Sequence, residues 1–144
     1  MKVSVILQKK GSSNVVTIDP DATVGEAVRT MSDHRIGAIV VSETGSSVNG
    51  IVSERDIVGR IGAEGPGILS TSVAQVMTSH VECCITEDTA LEILARMTDG
   101  RFRHMPVLDQ NKELIGILSI GDVVKARLEE METENAAMAD MLSG

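Results

Sequence analysis

The chain is poor in aromatic residues, and this scarcity narrows what it can be. It has one phenylalanine and neither tryptophan nor tyrosine in 144 residues, so aliphatic side chains and methionine must fill the core. The same scarcity removes the stacking platforms typical of single-stranded nucleic-acid binders. A formal net charge of −8 argues further against a protein that neutralises a phosphate backbone, so we expect no nucleic-acid partner. A small anionic ligand held by a few local positive groups stays open.

Long apolar runs and cysteine pairs at useful spacings are also missing. No apolar run reaches the roughly 20 residues that a membrane-spanning helix needs, and MKVSVILQKKG at the N-terminus has too short an apolar core for a signal peptide. Cys83 and Cys84 are adjacent, so they cannot build a disulfide framework, and no metal-site spacing accompanies them. We therefore expect no membrane, no metal, two reduced thiols acting as small apolar residues, and a cytoplasmic location.

What the sequence does contain is an internal repeat. Residue n matches residue n + 66 without a gap from about residue 15 to residue 58. An ungapped offset that crosses loops as well as periodic segments indicates a tandem duplication. Among the matched pairs are Thr23 and Thr89, Glu26 and Glu92, Met31 and Met97, Gly50 and Gly116, Ser53 and Ser119, and Asp56 and Asp122.

Each copy predicts the same order of elements, β-α-β-β-α. A short strand (VVTI; VECCI) precedes a helix whose apolar residues recur at positions 0, 3, 4 and 7. Thr23 and Thr89 stand at N-cap positions with a Glu three residues later, which is a capping box. Two strands (AIVV and GIV; MPVL and LIGIL) and a helix that starts near Ser53 or Ser119 complete the copy. Apolar strands alternating with amphipathic helices predict an α/β (α+β) fold with helix-covered sheets.

The duplication also predicts the domain organisation. We divide the chain into repeat 1 (1–62), a glycine-containing linker (63–72), repeat 2 (73–128) and an acidic C-terminal helix (129–144). One unit of about 55 residues buries too little apolar surface to be stable alone, so the two repeats are expected to pack face to face with pseudo-two-fold symmetry. Such a junction creates clefts that neither repeat has alone, and a ligand is expected there.

The duplicated Ser-x-x-Asp, at Ser53–Asp56 and Ser119–Asp122, has three interpretations. It can cap a helix, which is worth about 1 kcal/mol. It can bind a ligand, because a carboxylate accepts hydrogen bonds from vicinal hydroxyls while a helix start attracts phosphate. Aspartate is shorter than the Glu or Gln that best reaches back to the N-cap amide, which favours a ligand role. Catalysis by Ser119, Asp122 and His104 lacks a nucleophile elbow or oxyanion motif, so we expect no enzyme.

Positive groups accompany the motif unevenly. Arg55 lies inside the first motif, whereas its counterpart is Gly121, so the two copies have diverged. The run RFRHMPV (101–107) places further groups before a strand, where its counterpart RIGAIVV keeps only the first arginine. These cations either face solvent or form a site that suits phosphate. The groups in that run are Arg101, Arg103 and His104, while His34 and His80 are interpreted as surface residues.

The C-terminal segment carries a heptad pattern. Its seam positions are spaced 4, 3, 4, 3 and 4 residues apart, at Val124, Leu128, Met131, Asn135, Met138 and Leu142. An asparagine at an a position fixes register and dimer state in coiled coils. The pattern is shorter than three heptads, so it predicts either a homodimer contact or a helix packed along its own domain.

Two β-α-β-β-α copies that each end in G-I-x-S-x-x-D-h-V resemble the tandem cystathionine-β-synthase (CBS) domain pair, or Bateman module, of the free-standing bacterial type. FRHMPVLD and IGAIVV are similar to that family's central strand entries, and the resemblance covers roughly residues 3–128. It implies a non-catalytic regulatory module that requires no cofactor and binds AMP, ADP, ATP, NAD(H) or S-adenosylmethionine between the copies. It also implies a flat homodimer and a protein target that responds to ligand binding.

The resemblance also implies ligand-binding roles by position. Asp56 and Asp122 would hold ribose hydroxyls, and Ser53 and Ser119 would bond ribose or phosphate. Phosphate contacts would come from Arg55, Arg103 and His104, the first-strand positions beside the base are Thr17 and Cys83, and the adenine walls are Ile36, Gly37, Ala38, Met105 and Pro106. Cys83 replaces the family's usual hydroxyl residue, which implies that the two sites differ. The alternative is a structural, protein-interacting CBS module whose cleft holds no nucleotide.

Overall fold

Two three-stranded sheets, one from each copy, form the frame of the molecule. The computed structural model describes residues 1–11 and 15–143. In each sheet the first strand runs parallel to the second and the second runs antiparallel to the third. The predicted α/β fold of two β-α-β-β-α repeats is therefore confirmed. The strands are β1 (Thr17–Ile18), β2 (Ala38–Val41), β3 (Gly50–Ser53), β4 (Cys84–Ile85), β5 (His104–Leu108) and β6 (Leu114–Ser119).

Helices cover these sheets, and two of them start at the threonine N-caps that the sequence predicts. The Thr23 hydroxyl accepts the N–H of Glu26 at 3.1 Å, and the Thr89 hydroxyl accepts that of Glu92 at 3.3 Å. Within residues 1–11 and 15–143, no helix is long and apolar enough to cross a membrane. The helices are α1 (Val3–Lys10), α2 (Val24–His34), α3 (Glu54–Glu64), α4 (Ala90–Gly100) and α5 (Ile120–Ser143).

The structure differs from the sequence-based expectation at two places. Strands β1 and β4 have two residues each, fewer than VVTI and VECCI predict. Most of the segment predicted as a linker is helical, because α3 continues to Glu64 and Pro66–Ser70 forms a 3₁₀ helix. Proline suits the first position of a helix, where no intrahelical partner is needed for the missing N–H.

The segment at the start of each repeat packs on the core of the other repeat. Helix α1 joins the core of repeat 2: Val3 and Ile6 are buried there, and the Val3 N–H donates to the Asp88 carbonyl at 2.8 Å. The segment after α3 does the same for repeat 1, where Val73 is buried and its N–H donates to the Ala22 carbonyl at 2.7 Å. Each core is therefore completed by a segment from elsewhere in the chain, which joins the two repeats reciprocally.

Two equivalent glycines let these exchanged segments approach the sheets. A Cβ built on Gly116 would lie 2.7 Å from Leu7 Cδ2 of α1. A Cβ built on Gly50 would lie 2.5 Å from Met77 Sδ and 2.8 Å from the Thr78 carbonyl oxygen. A Cβ at either position would force its neighbour to shift, so the duplicated glycine is explained by packing.

Replacing either glycine tests this packing. We expect Gly50→Ala to lower the free energy of unfolding by about 1–3 kcal/mol, the usual cost of overpacking, because the Thr78 backbone carbonyl cannot rotate away. Gly116→Ala should cost less, since the Leu7 methyl groups can change rotamer. Urea unfolding of both variants measures the difference, and a larger loss for Gly116→Ala would contradict the assignment.

Candidate functional site

A cleft of about 850 Å³ lies between the two repeats, within the range of about 300–1,000 Å³ usual for small-molecule sites. Repeat 1 contributes the start of α3, and repeat 2 contributes the stretch from Gly100 to His104 that connects α4 to β5. Five of the predicted ligand-binding residues line it: Ser53, Arg55, Asp56, Arg103 and His104. Groups from both repeats therefore meet in one cavity.

At the start of α3, the motif caps the helix and keeps its carboxylate free. The Ser53 Oγ accepts the backbone N–H of Asp56 at 3.2 Å, which is an N-cap. Among the described residues, the exposed Asp56 carboxylate accepts no hydrogen bond and forms no ion pair. Capping and ligand binding are therefore compatible at Ser53–Asp56, because they use different atoms.

The equivalent motif at the start of α5 uses its carboxylate within the chain. The Ser119 Oγ accepts the Asp122 N–H at 3.1 Å, and the Ser119 N–H donates to Asp122 Oδ2 at 2.9 Å. Although aspartate is shorter than Glu or Gln, Asp122 makes this reciprocal bond, so the length argument for a ligand role does not hold at Asp122. Lys10 Nζ also donates to Asp122 Oδ2, at 3.0 Å, and to the Ile117 carbonyl, at 2.8 Å. The adjoining pocket is only about 80 Å³.

These contacts shift the pKa of Asp122. Burial tends to raise the pKa, but the Ser119 N–H, the Lys10 ammonium and the Ser119 hydroxyl together outweigh it, so the pKa lies below its usual range. Asp122 is therefore ionised at neutral pH and paired with Lys10. Its stabilising contribution is present above the ordinary aspartate pKa and is lost as the pH falls through the lowered value.

Three arginines give the cleft a positive character in an acidic protein. Arg55, Arg101 and Arg103 line it, and in the described part of the chain none of their guanidinium groups is in a hydrogen bond or an ion pair. The cleft also contains two carboxylates, but that of Glu82 is engaged by Arg96 Nη2 at 3.1 Å. The groups of the cleft that have no partner in the described ranges are then three cations and the Asp56 carboxylate, which favours an anionic ligand.

His104 lies half-buried at the junction of the repeats, where a Cβ on Gly37 would be 3.7 Å from its ring. Burial lowers the pKa of His104, and Lys10 and Arg103 add to this, against the opposing Asp122 and Glu54 carboxylates. The ring is therefore neutral at neutral pH, where it can donate a single N–H. It has no hydrogen bond to Ser119 or Asp122 among the described residues, so the triad considered from the sequence is not assembled.

The other nine predicted residues lie outside the lining of this cleft. Met105 is fully buried in the core of repeat 2, and Ala38 and Pro106 are buried in their strands, so their side chains cannot wall this cavity. Ile36 packs partly buried against the core of repeat 1. Gly37 faces His104, and the remaining four lie half-buried at or beside β1, β4 and the start of α5: Thr17, Cys83, Ser119 and Asp122.

The structure adds Phe102 and His80 to the cleft, and it also brings in Arg101 from the positive run, which was given no position-by-position ligand role. Arg101 follows α4 with φ 57°, a left-handed conformation uncommon for arginine. Phe102, the single aromatic residue of the chain, also lines the cleft, as does His80, which is exposed. Phe102 lies between two arginines of RFRHMPV that the sequence already indicated as candidate anion-binding groups, and this position is the signal that could have included it, whereas His80 lies in a loop without any pattern.

The two cysteines are free thiols with different surroundings. Burial raises the pKa of Cys84 to about 12, and the nearby Asp88 carboxylate adds to this. Burial also raises the pKa of the half-buried Cys83, against the opposing effect of Arg96. Both are thus protonated at neutral pH, as small core or near-core residues are. No cluster of three or more His, Cys, Asp or Glu that could hold a metal occurs in the described ranges.

Two copies of one sheet-and-helix unit around a shared cleft define a tandem-repeat domain pair. The CBS domain model matches residues 11–63 and 73–129, and the chain belongs to the CBS domain family as a tandem pair.

Known relatives agree with this assignment. A CBS-domain containing protein of Agrobacterium tumefaciens has a TM-score of 0.82 and 44% identity, covering 88% of this chain and 99% of that one. The mitochondrial CBS domain-containing protein CBSX3 of Arabidopsis thaliana is 37% identical over 92% of this chain and 67% of its own length. A CBS domain protein of Pyrobaculum aerophilum complexed with AMP has a TM-score of 0.78 and 25% identity, covering 92% and 99%.

The lowered pKa of His104 predicts a dependence of stability on pH. Because the folded pKa lies below the unfolded value of about 6.5, the unfolded chain binds more protons, and the free energy of unfolding falls as the pH decreases through about 6.5. His104→Gln should weaken this fall. Urea unfolding between about pH 8 and about pH 5 measures it, and an unchanged profile in the variant would contradict the assignment.

Proposed function

We propose that this chain is a regulatory module, not an enzyme, that binds an adenine nucleotide in the cleft between its repeats. One observation carries the proposal: the free Asp56 carboxylate and three guanidinium groups without partners among the described residues line the same cavity of about 850 Å³. The relative from Pyrobaculum aerophilum that is complexed with AMP supports the ligand class. The reduced thiols at Cys83 and Cys84 fit a cytoplasmic location.

The chemistry of the cleft matches the parts of such a nucleotide. A carboxylate that is free of protein partners can accept hydrogen bonds from both ribose hydroxyls, so Asp56 is assigned to the ribose. Arg55, Arg101 and Arg103 offer planar donor pairs that suit phosphate oxygens. The Phe102 ring offers an apolar face on which a base can stack. These groups come from both repeats, so the bound nucleotide would bridge them.

The charge of the cleft selects among adenosine ligands. AMP, ADP, ATP and NAD(H) carry negative phosphate, which the three guanidinium groups attract. S-adenosylmethionine carries a sulfonium cation, which the same groups repel. We therefore place phosphorylated ligands ahead of S-adenosylmethionine and adenosine in affinity. The rival function, a protein-interaction module with no nucleotide, would show no such order.

The two motifs lead us to propose one nucleotide per chain. Lys10 Nζ already donates to the Asp122 carboxylate and to the Ile117 carbonyl, so those acceptors are not free for ribose. Asp56 has no such competitor among the described residues. A nucleotide in the open cleft would contact repeat 1 through α3 and repeat 2 through the Gly100–His104 stretch, and would thereby favour one packing of the repeats over others.

Neutralising each aspartate in turn tests the proposed site. Asp56→Asn should weaken AMP binding by about 10–100-fold, since a hydrogen bond to a charged group is worth about 1.5–3 kcal/mol. Asp122→Asn is the matched control and should leave that affinity unchanged, while it lowers stability by removing the Lys10 ion pair. Calorimetric titration with AMP gives both affinity and stoichiometry. Equal losses in the two variants, or no binding by the wild type at millimolar AMP, would reject the proposal.

The two left-handed arginines offer a second matched pair. Arg35 ends α2 with φ 53° and Arg101 ends α4 with φ 57°, but only Arg101 lines the described cleft. Glycine tolerates this backbone without strain, so Arg35→Gly and Arg101→Gly should both keep or slightly raise the thermal midpoint. Only Arg101→Gly should weaken AMP binding, by about tenfold for one charge-assisted contact. Similar AMP affinities in both variants would exclude Arg101 from the site.

A further inference from the structure

Helix α5 continues beyond the CBS domain. The family match ends at residue 129, whereas α5 runs to Ser143. Every residue from Met131 to Ser143 is exposed, and at 1.5 Å per residue this part is about 20 Å long. Isolated helices of about 12–15 residues are only marginally stable in water. This extension therefore gains little stability from its own chain.

The exposed face of the extension is apolar and continuous with the domain. Met138 is 61% exposed and Leu142 is 86% exposed, and the same stripe begins at Val124 and Leu128 within the family match. At about 100° per residue, this stripe lies roughly 100° around the helix from the buried Val123. A second helix can therefore lie along it without displacing the helix from its own core.

The heptad positions indicate which partner fits. With Asn135 at position a, Arg127 falls at g and Glu132 at the following e. Within one copy, Arg127 Nη1 contacts Glu130 Oε2 at 2.8 Å. In a parallel pair of identical helices, g of one chain faces the following e of the other, so the Arg127 guanidinium also comes within reach of Glu132 of the second copy, twice by symmetry. The next such pair joins Glu134 to Ala139, which brings no like charges together. The carboxylates of Glu129 and Glu130 are held within the chain, by Lys9 and by Arg127 with the N-terminal amino group, and Asp140 occupies an outward position.

We propose that residues 124–142 of α5 form a parallel two-stranded coiled coil with the same segment of a second copy of this chain. Leu128, Met131 and Met138 supply the apolar seam, and Asn135 pairs with its equivalent across the axis, which fixes the register. This assembly does not depend on a nucleotide. It places two domain pairs side by side in the same orientation.

Two neighbouring substitutions distinguish the seam from the outer face. Met138→Glu puts a carboxylate into the seam, whereas Ala137→Glu puts the same group at an outward position one residue away. Sedimentation velocity of the full chain over a concentration series should show half the wild-type mass for Met138→Glu, with self-association weakened by about tenfold or more. Ala137→Glu should keep the wild-type mass. A monomeric wild type, or equal masses for the two variants, would overturn the proposal.

A cross-link tests the parallel orientation. Residue 142 occupies an a position, so in a parallel pair the two Leu142→Cys thiols lie side by side at a separation that a disulfide can span. Mild oxidation should produce a covalent dimer of Leu142→Cys. The wild type, oxidised under the same conditions, controls for Cys83 and Cys84. It should run as a monomer on a non-reducing denaturing gel. Failure of Leu142→Cys to cross-link while the protein sediments as a dimer would refute the parallel arrangement.

Discussion

The exchange of short segments between the repeats holds the molecule together. Val3 is fully buried in the core of repeat 2, and Val73 is fully buried in the core of repeat 1. Burial of such side chains is worth about 1.5–3 kcal/mol each. Gly50 and Gly116 are the sites of closest approach. Because both exchanges would have to open before the repeats separate, the cleft between them is formed in advance. A ligand then meets its groups already in position.

The duplicated motif serves two different ends because its surroundings differ. Both serines cap their helices, so the capping function is common to the copies. The Asp122 carboxylate is satisfied by Ser119 and Lys10, whereas the Asp56 carboxylate has no partner among the described residues and lines the same cleft as three arginines. A ligand with both hydroxyls and phosphate can bind the carboxylate and the guanidinium groups of this cavity at once.

Local sequence patterns determined what could be predicted. The 66-residue offset, the Thr23 and Thr89 caps and the apolar strands are encoded by neighbours in the chain, and the fold follows from them. The exchanged α1 was not predicted, because its burial depends on Gly116, more than a hundred residues away. The Lys10–Asp122 ion pair was not predicted either, because its two residues also lie far apart in the chain. The contrast between Arg55 and Gly121 indicated that the two sites differ, but the pairing of Asp122 with the distant Lys10 could not be read from either copy.

The location of a bound nucleotide tests this account most directly. A crystal structure grown with AMP is predicted to contain one nucleotide per chain, with its ribose hydroxyls on Asp56 and its phosphate among Arg55, Arg101 and Arg103. Lys10 should keep its contact with Asp122. A nucleotide bound instead against Asp122 with Lys10 displaced, or a cleft that holds no AMP when the protein is saturated, would contradict it.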